Sequence, residues 1–153
     1  MLHTMSLVSN KKARFNYEVL ETFDAGVELF GYEVKSLRLG RGKLEGAHVV
    51  VRGDEAYLVG ASIAPFQPSN TPKEYDPERP RRLLLTRSEL KALIGIEASK
   101  GLTLVPLSLY NKERYIKLSF ASVRGKKKYD KREDIKKRES DREMGRVLKQ
   151  QKI

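Results

Sequence analysis

The stretch LTLVPLSLYNKERYIKLSF, residues 102–120, decides the fold class. From 114 onward its residues alternate: Tyr115, Lys117 and Ser119 fall on one side, Ile116, Leu118 and Phe120 on the other. A period of two belongs to a strand with one face in a core and one in water. The run before it, 102–110, is also strand-like, and Asn111-Lys112-Glu113 separates the two. Further back, residues 47–52 and 55–59 flank Gly53-Asp54, a two-residue hairpin loop of the mirror-image type. Tyr17, Val19, Leu20 and Phe23 begin another strand, and Val27, Leu29, Phe30 and Tyr32 make the next. The turn between these two is expected at Asp24-Ala25-Gly26, where glycine takes a positive φ at little cost.

Two helices interrupt the strands. Thr86-Arg87-Ser88-Glu89 is a capping box, with Thr86 as N-cap and Glu89 reaching back to its amide. Leu90, Leu93 and Ile94 form the apolar stripe behind it, and Gly95 is expected to stop the helix. Residues 33–38 are a weaker candidate, ended by Gly40 and Gly42. Residues 65–82 hold five of the six prolines and predict an irregular surface loop of a length usually tied to function or disorder. Short strands with a capped helix inserted midway predict a mostly β chain closing into a small antiparallel barrel. The OB-like barrel, which binds oligonucleotides, is the natural candidate; an SH3-like barrel or an open α+β sheet fits the same pattern.

At 153 residues the chain has room for one domain and an extension. Cysteine is absent, which excludes disulfides, thiolate zinc sites and cysteine nucleophiles. The opening MLHTMSLVSN has neither a basic n-region nor a long apolar run, and no segment reaches membrane-spanning length. A soluble, cytoplasmic protein is expected. Net charge is +11, unevenly spread: from Arg124 onward 13 Lys+Arg face 6 Asp+Glu within 30 residues. Such a balance calls for a polyanionic partner. No basic stretch carries the apolar face of a membrane-surface helix, so nucleic acid is the expected partner and a membrane is not.

Catalytic chemistry finds little support. The two histidines, His3 and His48, read as surface residues, and the carboxylates lack metal-ligand spacing. Gly40-Arg41-Gly42-Lys43 is a fragment of a phosphate loop without its full spacing, hence a basic turn. No metal, no small cofactor and no enzyme activity are expected; a hydrolase using Asp24 or Glu33 is the remaining catalytic alternative. Basic groups interleaved with aromatics are more telling: Asn10-Lys11-Lys12-Ala13-Arg14-Phe15, and Lys35, Arg38, Arg41 and Lys43 around the first helix. Cations position a phosphate backbone while aromatic faces stack on unpaired bases. In the tail, Glu133–Lys137 and Asp134–Arg138 are favourable i,i+4 pairs, but Gly145 interrupts it and its apolar face is fragmentary. Disorder in the free protein, with helix formation on a polyanion, is expected.

Several motifs identify a family. N-K-x-A-R occurs at 10–14, G-Y-E-V-K-S-L-R at 31–38, D-P-x-R at 76–79 followed by R-x-L-L-L, L-S-L-Y at 107–110, and R-G-K-K-x-Y-D-K-R at 124–132. In order and spacing they resemble the small protein B family, the SsrA-binding proteins of bacterial ribosome rescue. The resemblance implies an OB-like barrel that binds the tRNA-like domain of transfer-messenger RNA and delivers it to stalled ribosomes for trans-translation. It implies Asn10, Asp24, Leu84 and Lys117 at or near the RNA surface; Asp24 stands where glutamate is more usual. Lys11, Arg14, Lys35, Arg38 and Lys43 complete the expected RNA-binding set.

The resemblance further implies that the tail turns helical in the empty messenger channel. There Gly125, Lys126, Lys127, Lys128, Tyr129, Asp130, Lys131 and Arg132 would meet ribosomal RNA of the small subunit near the decoding centre. Tyr129 takes a position that histidine occupies in some members, which keeps stacking and loses a titratable imidazole. Elongation factor Tu is implied in the delivery complex, with the protein a monomer. The domain expectation is a flexible 1–9, a barrel over 10–123 and a ribosome-binding tail over 124–153. A general OB-type factor for ribosome assembly or RNA handling is the alternative.

Overall fold

The computed structural model describes residues 4–125 together with 135, 136, 138 and 139. In chain order the elements are β1 (Thr4–Ser9), α1 (Ala13–Asn16), β2 (Tyr17–Val27), α2 (Gly31–Arg38), β3 (Gly42–Lys43), β4 (His48–Arg52) and β5 (Glu55–Val59). Then come β6 (Ser62–Ile63), a 3-10 turn at Pro68–Asn70, β7 (Arg81–Leu84), α3 (Arg87–Ala98), β8 (Thr103–Lys112) and β9 (Tyr115–Gly125). Seven strands form one antiparallel sheet in the order β1-β8-β9-β2-β7-β5-β4, and β3 pairs with β6 apart from it. The sheet curls until β4 packs against β8, although no ladder joins the two edge strands β1 and β4. This is the mostly β, OB-like fold expected of the sequence, with the barrel left partly open rather than closed.

The alternation in 114–120 has the predicted consequence. Ile116, Leu118 and Phe120 are buried, and Phe120 stacks on Phe23 with ring centroids 5.4 Å apart. They join Leu37, Leu44, Leu58, Ile63, Leu83, Leu93, Leu104 and Leu109 in a single core. The β8–β9 turn is tighter than expected: Lys112 pairs with Tyr115, leaving Glu113 and Arg114 as the loop, and Glu113 adopts φ 58°. Beyond Phe120 the alternation ends, because Ala121 and Val123 pack with Val105 in a second small cluster under Tyr17, Val19 and Leu107. The Gly53-Asp54 hairpin forms as predicted, with Arg52 opposite Glu55 and Gly53 at φ 61°.

Three local expectations are corrected. Asp24-Ala25-Gly26 is not a turn: β2 runs through it, with Ala25 opposite Leu118 and Gly26 opposite Lys117. Gly26 stays out of the left-handed region, and Tyr32 belongs to α2 rather than to a strand. Gly95 does not stop α3, which continues to Ala98; the Ser99 hydroxyl donates to the Gly95 carbonyl, and the chain turns at Gly101, φ 82°. The longer helix seats Leu90, Leu93 and Ile96 against the core and leaves Ile94 exposed. Finally, residues 4–9 are not a loose lead-in. They pair with β8 as β1, and β9 ends only at Gly125, opposite Tyr17, so the sheet overruns both edges of the 10–123 expectation. Strand pairing satisfies backbone groups wherever a partner edge is open, even without a strong apolar pattern.

The capping box holds. Glu89 N–H donates to Thr86 Oγ1, and Thr86 N–H donates to Glu89 Oε1. The basic turn at 40–43 leads into β3, and space rather than backbone angle demands Gly42. A Cβ there would lie 2.8 Å from Leu37 Cδ2 and 3.2 Å from Val8 Cγ2, so the missing side chain lets α2 close on β1.

Candidate nucleic-acid interface

Strand register assembles the site. Across the sheet Tyr110 lies opposite Lys117, Lys117 opposite Gly26, and Gly26 opposite Leu84. The neighbouring row on the same side holds Ser108, Ser119 and Asp24. Directly opposed residues project to one face, so Asp24, Leu84 and Lys117, 93 positions apart at the extremes, share the outward face of β8-β9-β2-β7. Their core-facing alternates, Ala25, Leu83 and Leu118, are buried, which fixes that orientation. Leu84 is 51% exposed, an apolar side chain held in water by the strand that buries Leu83.

Charge on this face is selective. Arg82, next to Leu84, is committed to Glu55 and, at 3.2 Å, to Glu28. Lys117 makes no ion pair among the described residues, although Asp24 is only one row away. Asp24 instead accepts a hydrogen bond from the Tyr110 hydroxyl, 2.9 Å to Oδ1. Burial first, then that bond and the Asp24 charge, push the Tyr110 phenol up to about 12. Gly26 lets the Leu84 side chain close over the sheet beside Lys117; a Cβ there would sit 3.3 Å from Leu84 Cδ1.

The other expected residues fall into two further groups. Asn10 follows β1, its Nδ2 donating to the Pro106 carbonyl at 2.9 Å and its amide to Leu107. It lines a small cleft of about 120 Å³ with Lys12, Asn16 and His48. Lys11 precedes α1 and Arg14 lies within it; both are exposed. Lys35, Arg38 and Lys43 are exposed on α2 and β3, with Lys35 5.7 Å from the Phe66 ring centroid. No register row, hydrogen bond or ion pair among the described residues joins them to Lys117. Of the tail set only Gly125 is described, as the end of β9; Lys126, Lys127, Lys128, Tyr129, Asp130, Lys131 and Arg132 lie outside the described residues. Further along, Ile135, Lys136, Arg138 and Glu139 are helical, and the Arg138 guanidinium lies 5.0 Å from the Phe15 ring centroid.

Proline-rich residues 65–82 bring in what pattern reasoning missed. Glu33 on α2 is fully buried and accepts from Phe30 N–H (2.8 Å), Arg79, Arg81 Nη2 (2.7 Å) and Tyr75 Oη (3.0 Å). Arg81, equally buried, also donates to the Ala61 and Pro77 carbonyls. Arg79 covers the exposed Phe30 ring at 4.0 Å. Burial alone would raise the Glu33 carboxyl, but the bonds from Arg79, Phe30 and Arg81 hold it below its usual value. Burial and the Glu33 charge push Tyr75 up to about 12. The loop is thus riveted to α2, and Arg81 and Arg82 belong to β7 rather than to it. A carboxylate sealed this way is a structural anchor, which removes Glu33 as a hydrolytic group. Among the described residues no cluster of His, Asp and Glu is placed to hold a metal ion, and no helix is long and apolar enough to cross a membrane.

Comparison with known proteins places this geometry. Residues 7–150 match the family model of the SmpB protein. A protein from Gloeothece citriformis named SsrA-binding protein is 46% identical over 146 residues, covering 95% of this chain and 94% of its own length. Its namesake from Chloroflexus aggregans is 46% identical over 147 residues, covering 96% and 93%. A chain from the solved structure "tmRNA-SmpB: a journey to the center of the bacterial ribosome" is 42% identical with a TM-score of 0.67, covering 82% of this chain and 86% of its own. With motifs, sheet and length all matched, the chain belongs to the SmpB protein family.

Proposed function

We propose that this protein binds the tRNA-like domain of transfer-messenger RNA and delivers it to stalled ribosomes for trans-translation. The observation that carries the proposal is the 42% identity to a chain of a tmRNA-SmpB structure, joined to an outward face suited to RNA. On that face Lys117 has its charge free for a phosphate, exposed Leu84 meets a ribose or base face, and Asp24 accepts from a donor. Lys11 and Arg14 by α1, with Lys35, Arg38 and Lys43 by α2, extend the positive field that follows the backbone. No bond is made or broken by the protein; its work is recognition.

The finer steps rest on the family resemblance. The protein works as a cytoplasmic monomer together with elongation factor Tu. Its tail, residues 124–153, enters the messenger channel of the small subunit only when no message fills it, so specificity comes from exclusion. Pull-down of the full chain from its source bacterium, followed by sequencing of the bound RNA, tests the proposal. Dominant recovery of transfer-messenger RNA is expected. A broad pool of ribosomal precursors without that RNA would overturn it in favour of a general RNA-binding factor.

A further inference from the structure

The outward face contains one group that a polyanion should repel, the Asp24 carboxylate. Exposed acids on an RNA-facing surface raise the cost of nearby phosphates, so an acid kept there has to meet something other than a phosphate. RNA offers two kinds of donor to a carboxylate: N–H groups on base edges and the ribose 2′-hydroxyl. The surroundings of Asp24 fit such a contact. Lys117, one register row away, does not neutralise it, and Oδ1 is occupied by the Tyr110 hydroxyl at 2.9 Å. Oδ2 accepts no bond among the described residues.

The Tyr110–Asp24 bond has an unusual path. Tyr110 is on β8 and Asp24 on β2, with β9 lying between them in the sheet. Two strand spacings come to about 10 Å, a gap closed by the tyrosine side chain, the 2.9 Å hydrogen bond and the aspartate side chain together. An aspartate carboxylate on a strand otherwise turns about its terminal torsion over a broad range. A bond from a second strand, delivered through a stiff ring, removes that freedom.

We infer that Tyr110 is the positioning residue for Asp24: its hydroxyl occupies one carboxylate oxygen and leaves the other fixed to accept from an N–H or O–H donor of the RNA. The inference rests on the proposed binding of transfer-messenger RNA and adds to it a residue, a route and the chemistry of the contact.

A mutant cycle tests it, using full-length protein and full-length transfer-messenger RNA in parent, Tyr110→Phe, Asp24→Ala and the double variant. Tyr110→Phe should weaken binding roughly two- to tenfold, the range for one hydrogen bond. In the Asp24→Ala background the same change should add nothing, because Tyr110 acts through Asp24. The log–log salt slope should stay as in the parent, since no phosphate contact is lost. Chemical probing of the complexes separates the two donors: Tyr110→Phe should expose either base edges or 2′-hydroxyls that the parent protects.

In the free protein, ultraviolet titration should show one high-titrating phenol returning toward the ordinary range in Asp24→Ala while the Tyr75 phenol stays high, the sign that the variant remains folded. An unchanged affinity for Tyr110→Phe, a loss that persists in the Asp24→Ala background, or no change in phenol titration overturns the positioning role. A parent protein that fails to bind the RNA overturns the functional proposal itself, a result distinct from any of these.

Discussion

Replacing Glu33 by Gln strikes the group on which the proline-rich loop and α2 both depend. The side chain is fully buried, Arg81 is fully buried, and Arg79 retains 23% exposure. Glutamine keeps one acceptor oxygen but turns an NH2 toward guanidinium donors and removes the charge, leaving Arg81 buried and unpaired. Breaking one side of a buried pair costs about 3–5 kcal/mol. For a chain of this size each kcal/mol lowers the melting temperature by about 2–4 °C, so a fall of about 6–20 °C is expected by circular dichroism.

The pH dependence gives an independent check. The Glu33 carboxyl is held below its usual value by Arg79, Phe30 and Arg81 against the opposing effect of burial. A depressed carboxyl contributes stability that is present above its unfolded value, about 4.3, and lost as pH falls through the folded one. The gap between parent and Glu33→Gln should therefore be wide near neutrality and close in acid. The double change Glu33→Met with Arg81→Met should recover part of the loss, since no buried charge is then left alone. A fall under about 3 °C, or a gap that does not close in acid, would refute the reasoning.

Other outcomes follow from the same geometry. Lys117→Ala should leave the melting temperature near that of the parent and reduce the salt slope of transfer-messenger RNA binding by about 0.7–0.9, one phosphate's worth; an unchanged slope would remove Lys117 from the interface. Gly42→Ala should cost about 1–3 kcal/mol in denaturant unfolding, because the added methyl meets buried Leu37 and Val8. Removing residues 126–153 should spare RNA binding and abolish peptidyl transfer to transfer-messenger RNA on ribosomes with an empty channel. A loss of RNA binding on that truncation would show the tail to be part of the body's interface. If Tyr129 stacks on a ribosomal base, Tyr129→Phe should keep most rescue activity and Tyr129→Ala should lose about tenfold or more; rescue by both at the parent's level would dismiss the stacking role.

Much of this protein is local and was therefore legible. The period of two in 114–120, the Gly53-Asp54 turn and the Thr86–Glu89 box each depend on residues a few positions apart, and each appears in the structure as read. Net charge and its concentration after Arg124 depend on no fold at all, and they point to a polyanion. Errors arose where a local preference met a distant partner. Asp24-Ala25-Gly26 has the composition of a turn, yet β9 and β7 offer it ladders on both sides, and pairing with both outweighs what glycine costs inside a strand. Gly95 could end a helix, but the continued turn places Ile96 on the core.

The candidate site lies further from what sequence pattern can show. Resemblance to a family points to Asp24, Leu84 and Lys117; only register puts them on one face, and only the fold brings Tyr110 across β9 to reach Asp24. Likewise nothing about Glu33, Tyr75, Arg79 and Arg81 in the linear chain marks them as one buried cluster, since their partners are up to 48 positions away. The sequence by itself determined the strand faces of 114–120, the Gly53-Asp54 turn, the Thr86–Glu89 box and the charge that points to a polyanion, because these are set by neighbours along the chain. Which residues share the sheet's outward face and which carboxylate is sealed or left open were decided by tertiary structure, because strand order and register are set by burying one common core.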